Sequence, residues 1–289
     1  MKYSTKAKKK RKKSLSHSPI SIGLYSLGCT KNLVDSEVLL GDLLSTGHFA
    51  LSHPQEAEII IINTCGFLEA AKKESLEFIE HAKEYKKNGN CKTLIVMGCL
   101  AQRYGKEIQN WAEGVDYIVP LSGYKRISNI LKGEAQKIRQ PSSLQIQVRS
   151  KQEVFPEVAR YRLTPRHYAY LRLSEGCNHN CSFCVIPSIR GKHRSKPLEF
   201  LLKEAQELVD DGALELNLIA DDSTFYGIDL YNQPTLPALL EGLEEISGLE
   251  WIRLFYAYPT TVTEEMLQKM SQLEKVVPYL DMPIQHISD

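Results

Sequence analysis

The sequence predicts an α/β protein in two parts, an N-terminal doubly wound parallel-sheet domain followed by a partial barrel of βα repeats. Three observations lead to this fold class. Short apolar runs recur along the chain, and a helical pattern of apolar residues follows each of them. A second series of the same kind begins at about residue 168, after a polar stretch. Near-continuous apolar runs are typical of parallel strands, because helices cover both faces of such a sheet.

The first series gives the N-terminal domain, for which we expect residues 20–133. Right-handed crossovers should connect its strands. The predicted strands are 20–27, 58–63, 92–98 and 115–119, and the predicted helices are 35–46, 67–87, about 102–112 and about 124–132.

A polar stretch with three prolines, residues 134–166, is expected to be a linker, and the barrel should then occupy residues 167–289. Chemistry in a βα barrel takes place at the carboxyl ends of the strands. The predicted strands are 168–173, 214–220, 250–256 and 276–281, and the predicted helices are 198–211, 235–246 and 263–273. The chain stops just after the fourth strand, so we expect it to be part of a longer protein.

Residues 1–19 form a basic tail that we expect to be disordered. The first thirteen residues carry eight Lys or Arg and no acid, and they lack the apolar segment of a signal peptide. Such a tail is either a solvated charge run or an arm that docks on RNA or on the ribosome surface. The rest of the chain has 28 basic against 35 acidic residues. A body this acidic suits a basic protein partner better than a nucleic acid.

Composition places the chain among soluble proteins, with 43% hydrophobic and 25% charged residues. No apolar run approaches the roughly 20 residues that span a bilayer. We therefore expect a cytoplasmic protein with no membrane partner.

Three cysteines, Cys177, Cys181 and Cys184, lie within eight residues. Thiolates gathered so closely, without a secretory signal, indicate metal binding rather than disulfides. Three ligands are one short of what an iron–sulfur cube or a structural zinc normally takes from a protein. One alternative is a Cys3His zinc site completed by His179 or His193, and another is a set of unligated thiols.

A second triad, Cys29, Cys65 and Cys99, follows three predicted strands of the N-terminal domain. The carboxyl ends of parallel strands lie at one edge of a sheet, where open α/β sheets place their sites. Neighbouring glycines would allow close approach of a bulky inorganic group. The alternative is three unrelated core cysteines, since cysteine is often buried. Cys91 fits neither triad.

The C-x3-C-x2-C loop and four further segments carry a resemblance to a known family. The chain resembles the methylthiotransferases of the radical S-adenosylmethionine (SAM) superfamily, and more closely those that modify an aspartate of a ribosomal protein than those that modify tRNA. The matching segments are residues 26–37, 63–67, 98–100, 174–191 and 279–286.

The resemblance implies two [4Fe-4S] clusters and SAM as cofactors. Cys177, Cys181 and Cys184 would be the catalytic triad, whose cluster has one open iron for SAM and cleaves it to a 5′-deoxyadenosyl radical. The other triad would hold the auxiliary cluster that delivers sulfur. The substrate would be the β-carbon of an aspartate in a small-subunit ribosomal protein, and the electron donor a flavodoxin- or ferredoxin-like protein.

Other residues are weaker candidates for cofactor binding. Phe183 is placed to pack on adenine, or else is a core aromatic. Arg190, with the nearby basic residues, could bind a carboxylate or belong to a solvated loop. Asp222, Tyr226 and Gln285 lie at or just beyond predicted strand ends, where ribose contacts would be.

Three function classes follow. The first is the ribosomal-protein aspartate methylthiotransferase. The second is a tRNA-base methylthiotransferase, which predicts salt-sensitive nucleic-acid binding that an acidic body does not favour. The third is a non-catalytic iron–sulfur or zinc protein, which predicts no cleavage of SAM.

Overall fold

The computed structural model describes residues 18–105, 107–123, 127–131, 156–285 and 287. Its N-terminal part is a five-stranded sheet in the order β2-β1-β3-β4-β5, with every neighbouring pair parallel. The strands are β1 (Ile20–Ser26), β2 (Phe49–Leu51), β3 (Ile59–Thr64), β4 (Thr93–Gly98) and β5 (Tyr117–Pro120).

Helices cover both faces of this sheet, which confirms the predicted doubly wound fold. Ile59 and Ile61 of β3 share one core with α1 (Thr30–Leu44) and α5 (127–131). Ile60 and Ile62 share the other core with α2 (Glu69–Asn88) and α4 (Ile108–Trp111). Alternate residues of a strand point to opposite faces, so one strand supplies both cores. The helices are α1 (Thr30–Leu44), α2 (Glu69–Asn88), α3 (Cys99–Arg103), α4 (Ile108–Trp111) and α5 (127–131).

Three elements of this domain differ from prediction. Helix α1 begins at Thr30 rather than 35, because its first turn is polar yet buried against partners that periodicity cannot show. The helix expected at 102–112 is two short helices, α3 and α4, with Gly105, a poor helix former, between them. Strand β2 was not predicted, since three residues are too few for a recognisable pattern.

The second part is a four-stranded parallel sheet in the order β11-β10-β9-β6. Neighbours along the chain are neighbours in the sheet, as in a βα barrel, so the predicted partial barrel is confirmed. Two-residue strands β7 (Ser174–Glu175) and β8 (Arg194–Ser195) form a separate antiparallel pair. The four strands are β6 (Tyr168–Arg172), β9 (Glu215–Ile219), β10 (Trp251–Leu254) and β11 (Val276–Leu280).

Three helices, α7 (Leu198–Asp210), α9 (Leu236–Glu244) and α10 (Glu264–Gln272), pack on one face of this sheet around a core of leucines and alanines. Their apolar faces bury against alternate residues of β6, β9 and β10, such as Leu171, Leu218 and Leu254. The helices are α6 (Ile186–Arg190), α7 (Leu198–Asp210), α8 (Ile228–Tyr231), α9 (Leu236–Glu244) and α10 (Glu264–Gln272), of which α6 and α8 were not predicted.

Part of the predicted linker packs between the two halves. Within residues 156–166, the Tyr161 amide donates to the carbonyl of Glu37 in α1, and the Ala159 amide donates to Glu207 in α7. Residues 132–155 of the chain and most of the basic tail, residues 1–17, lie outside the described residues. None of the helices in the described part of the chain is long and apolar enough to cross a membrane.

Candidate iron–sulfur sites and the domain interface

The N-terminal triad lies at the carboxyl ends of three adjacent strands, β1, β3 and β4. Cys29 is the N-cap of α1, Cys65 follows β3, and Cys99 begins α3. Cys65 and Cys99 are buried and Cys29 is exposed. All seven cysteines of the chain lie in the described residues, and all are free thiols. The predicted convergence of the three strand ends is therefore found in the fold.

Glycines let these strand ends come together. A Cβ added to Gly28 (φ +88°) would lie 2.7 Å from the Cβ of Cys65, and one added to Gly66 would lie 2.8 Å from the Cα of Leu100. Carbon atoms do not approach so closely, so any larger residue would push the loops apart. The two glycines bring the loops that carry the triad into contact.

Asn32, in the first turn of α1, ties the loops together. Its side-chain amide donates to the carbonyls of Leu27 and Thr64, at 3.1 and 3.0 Å. Asn63 donates in turn to the carbonyl of Asn32 and to Ser36. Sequence reasoning did not single out either asparagine, although a polar amide near the end of an otherwise apolar strand, as Asn63 is in β3, is a signal that could have found one of them.

Burial keeps two of these thiols protonated in the absence of metal. Desolvation raises the pKa of Cys65, and it raises the pKa of Cys99 to about 12 against the opposing charge of Arg190. A metal must displace these protons to bind thiolate.

The second triad lies in one loop between β7 and α6. The Cys177 amide donates to the carbonyl of Gly191, and the Cys184 amide donates to that of Cys181. Gly176 (φ +77°) begins the loop, and its amide donates to Asp221 at 2.9 Å. Cys177 is buried, while Cys181 and Cys184 are partly exposed.

His179 braces the same loop. Its Nε2 lies 2.7 Å from Oδ2 of Asp222, and its ring stacks on Tyr258 at 3.7 Å between centroids. The Tyr258 hydroxyl lies 3.9 Å from the sulfur of Cys181. The other carboxylate oxygen of Asp222 accepts from the amides of Thr224 and Phe225 and from the Thr224 hydroxyl. Asp222, predicted to bind cofactor, is thus engaged in holding this loop.

The other predicted cofactor residues fall in different environments. Phe183 is 73% exposed, so the core-aromatic alternative is wrong, and packing on adenine stays a prediction. Tyr226 is fully buried and its hydroxyl donates to the carbonyl of Lys196, so a ribose could not reach it in this structure. Gln285 is exposed, with φ +67°.

Arg190 is 4% exposed, which contradicts the solvated-loop alternative. Its guanidinium donates to Glu175 at 2.9 Å and, across the domain interface, to Asn32 at 2.8 Å and Asp35 at 3.2 Å. Binding of a cofactor carboxylate by Arg190 stays a prediction.

Further buried ion pairs join the two halves. Arg172 of β6 donates to Asp35 at 2.6 Å and to Glu157 at 3.0 Å. Lys31 of α1 donates to the carbonyl of Ala220 at 3.0 Å and pairs with Asp221 at 3.3 Å. Removing one partner of such a buried pair costs about 3–5 kcal/mol, because it leaves the other charge uncompensated. These pairs fix one domain against the other.

The donor sets fit clusters better than single ions. Among the described residues, no group of three or more His, Cys, Asp or Glu could hold one metal ion. The zinc alternative therefore has no support, and His193 is instead bonded to Ser195. A cluster spreads its thiolates more widely than one ion does, since each thiolate binds a different iron. Each triad offers three soft sulfurs, which is the chemistry that iron–sulfur clusters require.

Solved structures of similar fold include two radical SAM enzymes. The radical SAM methyltransferase TsrM from Kitasatospora setae, with tryptophan and a SAM analogue bound, superposes with a TM-score of 0.63 at 14% identity, covering 94% of this chain and 60% of that one. The cobalamin-dependent radical SAM enzyme OxsB superposes with a TM-score of 0.54 at 14% identity, covering 92% of this chain and 44% of that one. The chain thus shares its fold with these two enzymes.

Sequence comparison agrees and goes further. Residues 171–289 match the radical SAM superfamily, and residues 21–120 match the uncharacterized protein family UPF0004. Proteins named ribosomal protein uS12 methylthiotransferase RimO are 44% identical in Clostridium tetani, 46% in Clostridioides difficile and 44% in Aquifex aeolicus. Each match covers 93% of this chain, and the chain spans 57–60% of the length of these relatives. The chain belongs to the radical SAM methylthiotransferase family.

Proposed function

We propose that this chain is the cluster-bearing part of an aspartate methylthiotransferase that acts on a small-subunit ribosomal protein. The observation that carries the proposal is the pairing of two cysteine triads, one in each domain, across an interface of buried ion pairs. Radical sulfur insertion needs a centre that makes the substrate radical and a second centre that supplies sulfur. Relatives at 44–46% identity are named for uS12, which supports uS12 as the substrate.

In this proposal Cys177, Cys181 and Cys184 hold one [4Fe-4S] cluster, and Cys29, Cys65 and Cys99 hold the other. When bound, the first cluster and SAM supply one-electron cleavage to a 5′-deoxyadenosyl radical, and the second cluster supplies sulfur.

The residues of the chain position these groups and exclude water. Asp222 holds His179, and His179 stacks on Tyr258 beside Cys181, so the loop keeps one conformation. Exposed Phe183, between Cys181 and Cys184, offers an aromatic face on the open side of the loop for adenine. Asn32, Gly28 and Gly66 keep the other triad compact.

A reduced flavodoxin- or ferredoxin-like protein would donate the electron, and the reaction would take place in the cytoplasm, where ribosomal proteins are assembled. The acidic balance of residues 14–289 suits a basic ribosomal protein.

The test is an anaerobic assay of reconstituted, dithionite-reduced protein with SAM and purified uS12. We expect 5′-deoxyadenosine by mass spectrometry, and a methylthio group on one aspartate of uS12. Modification of tRNA in place of uS12 would favour the tRNA-base alternative. Two full clusters with no cleavage of SAM would favour the non-catalytic alternative.

A further inference from the structure

Arg190 reaches a cysteine of the other domain. It ends α6, six residues after Cys184, and its Nη2 lies 3.9 Å from the sulfur of Cys99. The same nitrogen donates to Asn32 and Asp35, and Nη1 donates to Glu175. A planar guanidinium with partners on both edges has one orientation, and here that orientation places Nη2 so that its two N–H groups are shared among Asn32, Asp35 and the Cys99 sulfur.

The segment before Arg190 covers the same cysteine. Ile189 is buried in a small cluster with Cys99 and Leu121, and Val185 packs against it. Residues 185–190 of the barrel domain therefore exclude water from one side of the N-terminal triad. Cys99 thus has an apolar cover and a cation, and both come from the loop that follows the other triad.

The charge on this guanidinium is permanent. Burial by itself would lower the pKa of Arg190, but the carboxylates of Glu175 and Asp35 more than offset that effect. Hydrogen bonds to cluster sulfurs, and the charge around them, set the reduction potential of an iron–sulfur cluster. Reduction adds one negative charge, which a nearby cation stabilises.

We propose that Arg190 is a cross-domain positioning residue, which donates a hydrogen bond to the Cys99 thiolate and raises the reduction potential of the cluster on Cys29, Cys65 and Cys99. The inference rests on the proposed function, because it takes a cluster at that triad as given. Reduction here is the gain of one electron by the cluster, with no covalent bond made or broken. The loop that carries one triad thereby tunes the cluster of the other.

The experiment uses the full chain with Cys177, Cys181 and Cys184 all replaced by Ala, so that one cluster remains. After anaerobic reconstitution, dithionite supplies electrons stepwise through viologen mediators, and electron paramagnetic resonance follows the reduced cluster. We expect Arg190→Gln to make the midpoint reduction potential of the cluster more negative. Arg190→Lys keeps the positive charge but loses the planar guanidinium, so it should shift this potential less.

Arg172→Lys is the matched control. Arg172 pairs with Asp35 and Glu175, as Arg190 does. The contact with the sulfur of Cys99 is made by Arg190. We expect Arg172→Lys to lower the unfolding temperature and leave the midpoint in place. Asp35→Asn should move the midpoint the opposite way from Arg190→Gln, because it removes a negative charge beside the guanidinium.

The outcomes separate the inference from the proposed function. Absence of iron in the triple-Ala chain, before any change at Arg190, would contradict the auxiliary cluster itself. Full iron with an unchanged midpoint in Arg190→Gln would overturn the tuning role alone. Loss of iron in both Arg190→Gln and Asp35→Asn would also overturn it, in favour of a purely structural role.

Discussion

The two cysteine triads are built in opposite ways. Cys29, Cys65 and Cys99 come from three βα units and meet because the sheet brings three strand ends together. Cys177, Cys181 and Cys184 come from a single loop and lie within eight residues of sequence.

This difference places the stabilising interactions in different parts of the molecule. The N-terminal triad depends on tertiary structure, so its supports are glycines that allow loops to touch and an asparagine that joins them. The C-terminal triad needs only its loop to be held in one shape, which Asp222 and Tyr258 do from other loops through their contacts with His179. A site whose ligands come from three strand ends is lost when the strands separate. A site whose ligands come from one loop is lost when that loop is no longer held in one conformation.

Glycine substitutions should separate the two triads most strongly. A Cβ at Gly98 (φ +100°) would lie 2.3 Å from Oδ1 of Asn63, and one at Gly176 (φ +77°) would lie 2.4 Å from the carbonyl oxygen of Lys192. We expect Gly98→Ala and Gly176→Ala each to reduce bound iron from about eight to about four per chain, at opposite triads. Iron and sulfide analysis measures this, and 5′-deoxyadenosine formation should survive only in Gly98→Ala.

Gly47→Ala and Gly212→Ala are matched controls, one in each domain. Both positions have positive φ, at +70° and +99°, but an added Cβ would meet nothing within 4 Å. Alanine at either position strains the backbone but its Cβ meets no neighbouring atom, so both variants should keep the full amount of iron. Full iron in Gly98→Ala as well would show that the strand ends tolerate separation.

Removing the contact between Asp222 and His179 in the C-terminal site should have the next largest effect on activity. Asp222→Ala frees His179, and outer-shell changes of this kind typically cost about 10-fold or more in activity. We expect 5′-deoxyadenosine formation to slow by about 10-fold, while the N-terminal cluster keeps its absorbance. Exposed Asp210, replaced by Ala, is the control. An unchanged rate in Asp222→Ala would show that the loop holds its shape without the brace.

Thiol reactivity in the metal-free chain should differ by a smaller, graded amount. Cys29 is exposed, whereas Cys99 is buried and burial raises its pKa to about 12, so the thiolate that reacts is scarce. At neutral pH, iodoacetamide should label Cys29 several-fold faster than Cys99, as measured by peptide mass spectrometry over time. Equal rates would mean that the strand ends open without a cluster.

The opposite edge of the N-terminal sheet should be the least sensitive region. Lys92 pairs there with Glu58 in a solvent-exposed contact. Lys92→Met should change the free energy of unfolding by less than about 1 kcal/mol and leave bound iron unchanged. Chemical denaturation measures the first and iron analysis the second, and a loss of iron would show coupling between the two edges.

Sequence patterns predicted the sheets and both triads, because apolar runs and cysteine spacing are local signals. They marked Arg190 as a candidate carboxylate ligand but did not reveal its buried partners Asn32 and Asp35, which lie more than 150 residues away in sequence. The early start of α1 has the same origin, since Lys31 in its polar first turn contacts Ala220 and Asp221 of the other domain. Asp222 was placed at the right edge, but its bond to His179 depends on side-chain geometry that spacing cannot show.

The buried carboxylates of α1 have a consequence for synthesis on the ribosome. Asp35 and Glu37 emerge early, yet their cationic partners are Arg160, Arg172 and Arg190. At about 5–20 residues per second, the first domain can complete its sheet several seconds before the last of these arginines is translated. During that interval the carboxylates lack these partners, so we expect the N-terminal domain to be less stable on the ribosome than in the finished chain.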